Sequence, residues 1–583
     1  MPSATKAKSK KRYQVVTQEK AGGATYTPTI LADFVAAQIM EATRSLPETV
    51  RVLDPAVGDG ELLLSLLAKL SERTTAPIIV YGFDTDGLAL ARARQRLKVA
   101  FPKAELHLEH GNFLDFVLNL PSSHKTPSLF APPALPALPQ HFDLIIANPP
   151  YVRTQIMGAD QAQMLGEAFG LSGRIDLYHA FLIAIGQVLK SGGTAGIIVS
   201  NRFMTTKGGA TLRAALRESF VLRHIWDLGD TKLFGAAVLP AVIVAEGRDG
   251  NVDEAPSFTS MYETDEPATV EASHPIEGLS MTGIVGLKDG RRFHVQHGTL
   301  DGSGARDDLW RIATAHSDTW LATVAKHTSC TFGDIGKIRV GVKTCADKVF
   351  IRSDWHTLPE AERPELLRAL ITHHSAGRFR AVIPSKVRMI LYPHEAEGGQ
   401  RRAADLGINP KSRAYLEAHR TTLEARTYVV EGGRRWYELW VPQDPEAWAA
   451  PKLVFRDISE RPTFWLDFDG SIVNGDCYWL ATERLDSEDQ LWLAAAVANS
   501  TFIEAFYDHR FNNKLYAGRR RFITQYVEQF PLPEPKSDLA LQIIEIAKAI
   551  YEHAGSSKAA ILEEKLNPMI WHAFGLRFEK VTR

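Results

Sequence analysis

The sequence predicts an α/β fold, a doubly wound and mostly parallel sheet over residues 24–247, followed by a mixed α+β C-terminal region. Three observations predict it. Val50-Arg51-Val52-Leu53 reads as a strand, Asp54 to Gly60 as a tight turn, and Glu61 to Leu70 as a helix rich in Leu and Ala. Strand, glycine turn and helix form the opening unit of such a sheet. A second apolar run, Ile78 to Phe83, ends in an acid, Asp84. A third, Asp143 to Ala147, runs straight into Asn148-Pro149-Pro150-Tyr151. Open α/β sheets place their ligands at the carboxyl ends of strands, where all three segments put their polar residues.

The remaining elements follow in order. Lys6 to Arg12 is basic and precedes no apolar segment, so residues 1–23 read as a disordered tail and not a secretory signal. Ile30 to Ala42 is a helix. A further helix starts near Gly87, with Asp86 as its cap. Glu105 to His110 is a strand ending at Gly111-Asn112-Phe113. Six prolines between 121 and 139 mark a loop insertion before the Asp143 strand. A helix from Leu177 to Leu189 stops at Gly192-Gly193, and the strand Thr194 to Ser200 follows. Two more strands, His224 to Leu228 and Val238 to Ala245, flank a loop holding Phe234.

The turn chemistry narrows the ligand. Gly58 and Gly60 let a ligand approach the backbone. Asp54 and Asp59 would repel a pyrophosphate, so a cationic or zwitterionic ligand fits better; the sulfonium and amino-acid part of S-adenosylmethionine is one. Asp84 is placed to accept from ribose hydroxyls. Asn112 can meet an adenine edge and Phe113 its ring, or the pair is a turn residue beside a core phenylalanine. Asn148-Pro149-Pro150-Tyr151 is rigid, rich in acceptors, and carries one π-face. It suits a planar group whose amine hydrogens need acceptors, such as the exocyclic amine of a nucleobase. The same tetrapeptide could also be an ordinary turn.

These pieces, in this order, resemble the gamma group of amino DNA methyltransferases, the TaqI-like adenine-N6 branch, whose members serve type II restriction-modification systems. The resemblance covers residues 24–247 and continues more weakly to the C-terminus. It implies a Rossmann-like methyltransferase sheet with S-adenosylmethionine as methyl donor and no metal. Thr27, in Ala24-Thr25-Tyr26-Thr27-Pro28, then helps close the cofactor pocket. Asp54, Ala56, Gly58, Asp84, Asn112 and Phe113 then line it, with Asn112 standing where many members have an acid. Asn148, Pro149, Pro150 and Tyr151 become the catalytic loop, and Phe234 the aromatic on the other face of a flipped adenine. The implied partners are double-stranded DNA and a restriction endonuclease encoded separately. Val340 to Phe350, Leu515 to Phe522 and Phe530 to Pro533 look like parts of a target-recognition domain.

Read without the family, residues 248–334 are rich in Gly, Asp and Thr and form a connector, and 335–535 a separate domain of short β-like runs. Arg510, Lys514, Arg519, Arg520 and Arg521 lie in a stretch with no acid, which suits phosphate or is a solvated basic face. Arg434 to Trp440 interleaves basic and aromatic residues. Leu539 to Tyr551 and Ala559 to Phe574 form a closing helical pair, with Pro568 separating two helical pieces. Glu563-Glu564-Lys565 mimics half of a nuclease motif but lies within helical periodicity. His373-His374 has no acid at metal spacing and reads as surface. Net charge is −1, so a nucleic-acid surface has to come from local asymmetry. Three cysteines without CxxC spacing exclude a disulfide framework or zinc ribbon. No apolar run reaches the roughly 18 residues of a membrane span. The expectation is a cytoplasmic monomer. Three rivals stay open: a release-factor glutamine or RNA guanine methyltransferase, a modification subunit needing a separate specificity chain, and a DNA-binding scaffold without activity.

Overall fold

The computed structural model describes residues 27–119, 141–152, 159–172, 176–234, 239–248, 255–301, 310–482, 488–511 and 519–578. The expected tail 1–23, the proline-rich segment 121–139 and Lys514 lie outside these residues. The chain divides into two compact units, 1–314 and 315–583.

The first unit is built on one sheet. Its first half comprises α1 (Thr29–Ala42), β1 (Val50–Asp54), α2 (Glu61–Arg73), β2 (Ile78–Asp84), α3 (Gly87–Ala100), β3 (Glu105–His110), α4 (Phe113–Leu118) and β4 (Phe142–Ala147). Then come α5 (Ala159–Phe169), α6 (Leu177–Val188), β5 (Leu189–Ser200), α7 (Ala210–Ser219), β6 (Phe220–Asp227) and β7 (Pro240–Gly247). The strand order is β3-β2-β1-β4-β5-β7-β6. Strands β1 to β5 pair in parallel, and β7 runs antiparallel to β5 and β6. The winding reverses where β4 returns to pair with β1, and a crevice opens at such a point.

Both faces of this sheet are covered. All six residues of β4 are buried, which a half-solvated strand would not allow. Alternate residues feed two cores. Leu53, Ile145 and Ile197 face one, shared with Phe181 and Ile185 of α6. Val52, Leu144 and Ile198 face the other, shared with Val35 and Ile39 of α1 and Leu63 and Leu66 of α2. Asp86 caps α3, its carboxylate accepting from the Leu88 and Ala89 N–H groups. Gly192 and Gly193 do not end a helix as expected: α6 stops at Val188, and the glycines sit in a register shift inside β5, with Gly192 at φ +72°.

The connector expected over 248–334 is corrected. Here the sheet continues through β8 (Ser257–Glu263), β9 (Val270–Ala272), β10 (Gly283–Leu287), β11 (Arg292–Asp301) and β12 (Arg311–Ala313). The added order is β6-β8-β11-β10-β9, with β12 on β11. β8 lies parallel to β6, and β8, β11 and β10 pair antiparallel. The strands escape notice because β11 alternates buried and exposed residues, so its sequence is half polar. The boundary therefore falls after 314 rather than at 247 or 334.

The second unit holds a five-stranded sheet of β13 (Ile338–Val340), β14 (Phe379–Arg380), β15 (Lys452–Arg456), β16 (Phe464–Asp467) and β17 (Cys477–Ala481), in the order β13-β17-β15-β16-β14. Trp448, Trp465 and Trp479 are wholly buried in its core. The longer C-terminal helices α8 (Glu488–Ala498), α9 (Thr501–Phe511), α10 (Asp538–Glu552) and α11 (Ser557–Ala573) belong to the same unit. α10 packs on α11 and on α8, so the closing pair is part of this unit and not a separate module. Pro568 does not divide α11, which runs through it unbroken. Its neighbour Asn567 turns its amide back to the Glu563 carbonyl and accepts from Thr501, tying the kink-prone turn to α9. Among the described residues no helix is long and apolar enough to cross a membrane.

Helix α1 lies unusually close to the sheet at Gly196 of β5. A Cβ there would stand 2.6 to 2.8 Å from Ile39 Cγ1 and Cδ1 and Val35 Cγ1. Gly196→Ala should therefore overpack this face and cost about 1–3 kcal/mol. The check is the denaturant midpoint of the first unit; an unmoved midpoint would show that α1 tolerates the extra carbon.

Candidate active site

The turns after β1, β2 and β4 meet at one cleft of about 300 Å³. The structure brings Ala56, Gly58, Asp84, Asn112, Phe113 and the Asn148-Pro149-Pro150 segment together on its lining. These residues span almost a hundred positions of sequence, and the parallel pairing of β3, β2, β1 and β4 gathers them.

On one side the cleft is anionic. Asp54 closes β1, is fully buried, and accepts from the Ala56 N–H through Oδ1 at 3.0 Å. Its Oδ2 has no partner among the described residues. Burial, reinforced by the charge of Asp84, pushes the Asp54 carboxyl up to about 8, against one backbone hydrogen bond that lowers it. Asp84 ends β2. Its Oδ2 accepts from Gly58 N–H and its Oδ1 from Asp86 N–H, both at 2.7 Å. Each oxygen keeps a second lone pair for a ligand hydroxyl. Gly58 has φ +54° and Gly60 φ +86°, a backbone path that side chains disfavour. Gly60 also faces Ala93 of α3, 3.0 Å from where a Cβ would sit, so its smallness serves helix packing rather than ligand approach.

Asn112 caps a helix and also borders the cleft. Its Oδ1 caps α4, accepting from Leu114 N–H at 3.1 Å, while the residue still lines the cleft. Phe113 is a core residue, 1 % exposed, packed with Phe83 and Phe181, and it too borders the cleft.

The opposite lip is neutral. Asn148 Nδ2 donates to Thr27 Oγ1 at 3.0 Å, and Tyr151 Oη donates to Asn148 Oδ1 at 2.9 Å. The amide is thus oriented from both ends. Burial holds the Tyr151 phenol far above its ordinary pKa, so it serves as a donor and not as a base. The Tyr151 ring meets Tyr178 of α6 edge-on at 6.0 Å. The Leu177 N–H donates to the Val152 carbonyl at 2.9 Å and pins the start of α6 behind the loop. Tyr178, Leu177 and Phe181 escaped sequence reasoning because an apolar helix face carries no chemical signal. His179 is buried, and burial lowers its pKa to about 4, so it is neutral. Phe234 does not line the cleft. It is 5 % exposed and sits in the core with Val35 and Trp226.

Two of the four described cations of the basic stretch in the second unit are committed elsewhere. Arg520 forms a two-pronged ion pair with Asp508 at 2.7 and 2.8 Å, its side chain 11 % exposed. Arg521 pairs with Asp457 at 3.0 Å. The expectation of a run of cations free for phosphate is corrected to this extent: these carboxylates lie outside the acid-free stretch but adjoin it in space. Arg519 is exposed and Arg510 half-buried. His373, expected to lack an acid partner, bonds the Asp476 carboxylate through Nδ1. Glu563 pairs with Arg378 at 2.6 Å, a structural use of the residue that mimicked a nuclease motif.

The order β3-β2-β1-β4-β5-β7-β6, with β7 reversed among these seven strands, and the cleft at the switch point define the class I methyltransferase fold. The Eco57I restriction-modification methylase family matches residues 79–234. The type II methyltransferase M.BanIII of Aneurinibacillus aneurinilyticus is 37 % identical over 579 residues, covering 97 % of this chain and 98 % of its own. The chain belongs to the type II restriction-modification methyltransferases. M.PaeR7I of Pseudomonas aeruginosa is 24 % identical over 88 % of this chain and 86 % of its own. Among solved structures, the ATP-dependent Type ISP restriction-modification enzyme LlaBIII bound to DNA has the same fold at TM-score 0.50 and 10 % identity, covering 91 % of this chain and 39 % of that one.

The raised pKa of Asp54 has a measurable sign. An unfolded aspartate titrates near 3.9, so between about pH 4 and 8 the folded state holds a proton that the unfolded state has released. Stability of the ligand-free first unit should fall as pH rises through that window. Asp54→Asn should remove this slope and make the ligand-free protein the more stable form at pH 8. Urea midpoints across the window, with equal slopes for both proteins, would show that Asp54 is already ionised.

Proposed function

We propose that the protein is a site-specific DNA methyltransferase that moves the methyl group of S-adenosylmethionine to the N6 amine of an adenine flipped out of duplex DNA. One observation carries this reading: the Asn148 amide is clamped between Thr27 and Tyr151 at the lip of an anionic, nucleoside-sized cleft.

The residues fit the methyl donor. The buried Asp54 carboxyl, unpartnered at Oδ2 and protonated in the ligand-free state, ionises beside a cation and so favours a cationic ligand over a phosphate. Asp84 offers spare lone pairs to ribose hydroxyls. Asn112, whose Oδ1 is used in capping, keeps its Nδ2 as a donor toward an adenine edge. Bound there, S-adenosylmethionine supplies a methyl group on a sulfonium, a leaving group that needs no acid.

The protein's own work is orientation. A target adenine inside the stack is out of reach, so it has to be extruded. The Asn148 Oδ1, which the Tyr151 hydroxyl engages in this ligand-free state, and the Pro149 carbonyl are the two acceptors presented to the amine. Accepting both amine hydrogens draws the nitrogen toward a tetrahedral shape and localises its lone pair. Pro149 and Pro150 hold these acceptors rigid, and rate comes from positioning. The Tyr151 ring supports one face of the base. Phe234 can support the other only by leaving its core seat, with a rearrangement of its loop when DNA binds. Reading of sequence is assigned to the second unit, where, among the described residues of the basic stretch, Arg519 and Arg510 are left to meet phosphate. A separately encoded endonuclease of the same specificity completes the system.

The decisive experiment incubates the purified chain with plasmid DNA and labelled S-adenosylmethionine and resolves the digested nucleosides. Label in N6-methyldeoxyadenosine is expected; label in cytosine, or none, overturns the reading. Asn148→Ala and Tyr151→Ala should nearly abolish transfer while leaving the cofactor dissociation constant in place. Asp84→Ala should weaken cofactor binding by about 1–3 kcal/mol, the worth of a hydrogen bond to a charged group. A variant that loses activity with an unaltered cofactor constant at Asp84 would remove it from the ribose site.

A further inference from the structure

One projection in the second unit stands apart from the basic stretch that sequence reasoning had favoured. It connects β14 to a strand at Met389–Leu391. Its root is heavily fixed. The Arg378 guanidinium reaches the Glu563 carboxylate and the carbonyls of Pro462 and Asn499. Phe379 is fully buried and held at φ +65°, a backbone state rare for a bulky residue and maintained here by pairing with Trp465. Val382 N–H donates to the Ser375 carbonyl at 3.0 Å. Beyond the root the chain is bare. Val382 is 50 %, Ile383 89 % and Val387 58 % exposed, three large apolar side chains within six residues. Pro384, at the tip, stiffens it.

The surround is cationic. Lys386 is exposed and Arg388 half-buried, and neither has a carboxylate partner among the described residues. Arg388 and Arg456 lie near enough to the exposed His374 to add to the depression of its pKa, after the larger effect of His373. The Arg456 Nε is buried without a hydrogen-bond partner. Asp476, the acid beside this group, is bonded to His373. An apolar tip beside Lys386 and Arg388 suits a partner with anionic rims and apolar surface reachable between them. A duplex groove is such a surface, with phosphates along both rims and, inside, thymine methyls and base steps that apolar wedges open.

We propose that Val382–Arg388 is an element by which the protein enters a groove of duplex DNA, Val382, Ile383 and Val387 pressing on base edges while Lys386 and Arg388 hold flanking phosphates. The inference rests on the reading of the chain as a DNA-modifying enzyme and names a surface that serves it.

Two sets of surface variants test it, each checked first for an unchanged thermal midpoint. Lys386→Ala with Arg388→Ala should weaken binding of a fluorescein-labelled mixed-sequence duplex by roughly tenfold and flatten the salt dependence by about 0.9 log unit of slope for each phosphate left unneutralised. Val382→Ser with Ile383→Ser should leave that salt slope in place but raise the KM for plasmid DNA in methyl transfer by roughly tenfold, with the KM for S-adenosylmethionine unmoved. Wild-type affinity, salt slope and plasmid KM in both sets would overturn the proposal, including the case in which the tip serves another protein. The two readings fail separately. A wild-type chain that methylates no DNA, yet loses duplex binding in the charge variant, sinks the activity and keeps the surface. A wild-type chain that methylates DNA, with both variants unaffected, does the reverse.

Discussion

The site depends on one pairing, that of β1 with β4. Val52 lies beside Leu144 and Leu53 beside Ile145, in parallel. Neighbouring strands stand about 4.8 Å apart, so the two turns that follow them emerge side by side. One carries Asp54, Ala56 and Gly58, and the other carries Asn148 to Tyr151. The register of β1 on β2, with Asp54 beside Gly82, brings Asp84 to the same edge. Because both faces of these strands are buried, a slip by one residue would turn core side chains toward the wrong layer. Core packing therefore holds the spacing of the polar loops.

The two sides of the cleft follow different electrostatic rules. The side lined by Asp84 and Asp86 carries the negative charge, and Asp54, buried behind it outside the lining, keeps its proton. The side formed by Asn148 and Tyr151 is uncharged, its amide joined by hydrogen bonds to the Thr27 and Tyr151 hydroxyls. A buried acid without a partner works against folding, and such departures gather at functional sites. A neutral amide held at both ends has already lost its rotational freedom before any substrate arrives.

Much of the first sheet was legible because its strands are short apolar runs closed by residues with narrow uses. β1 ends in Asp-Pro and glycines, β2 in an acid, and β4 in Asn-Pro-Pro; Asp86 was legible as a helix cap for the same reason. What escaped was of three kinds. β9 and β11 are half-solvated, so their sequences resemble loop. Ion pairs across the chain leave no local trace: Arg521 meets Asp457 from 64 residues away, and Arg378 meets Glu563 from 185. Residues with two meanings stayed ambiguous until packing was seen, as with Asn112, which caps a helix and borders the cleft, and Gly192, which bends a strand instead of ending a helix. Phe234 belongs here too, since a core seat and a loop position are indistinguishable in sequence.

The continuation of the sheet past β6 has a consequence for the order in which the protein is made. Without β8, the Phe220–Asp227 strand would present a row of unsatisfied N–H and C=O groups along an apolar edge. A nascent chain that has released its cleft-forming strands but not yet residue 263 is in that condition. Its open edge invites pairing with another chain, on a ribosome or off it. The β8 to β12 segment thus acts as a built-in selvedge. It binds off the weave of the sheet, and the same role explains why a fragment ended near residue 250 would be a frayed protein rather than a minimal catalytic one.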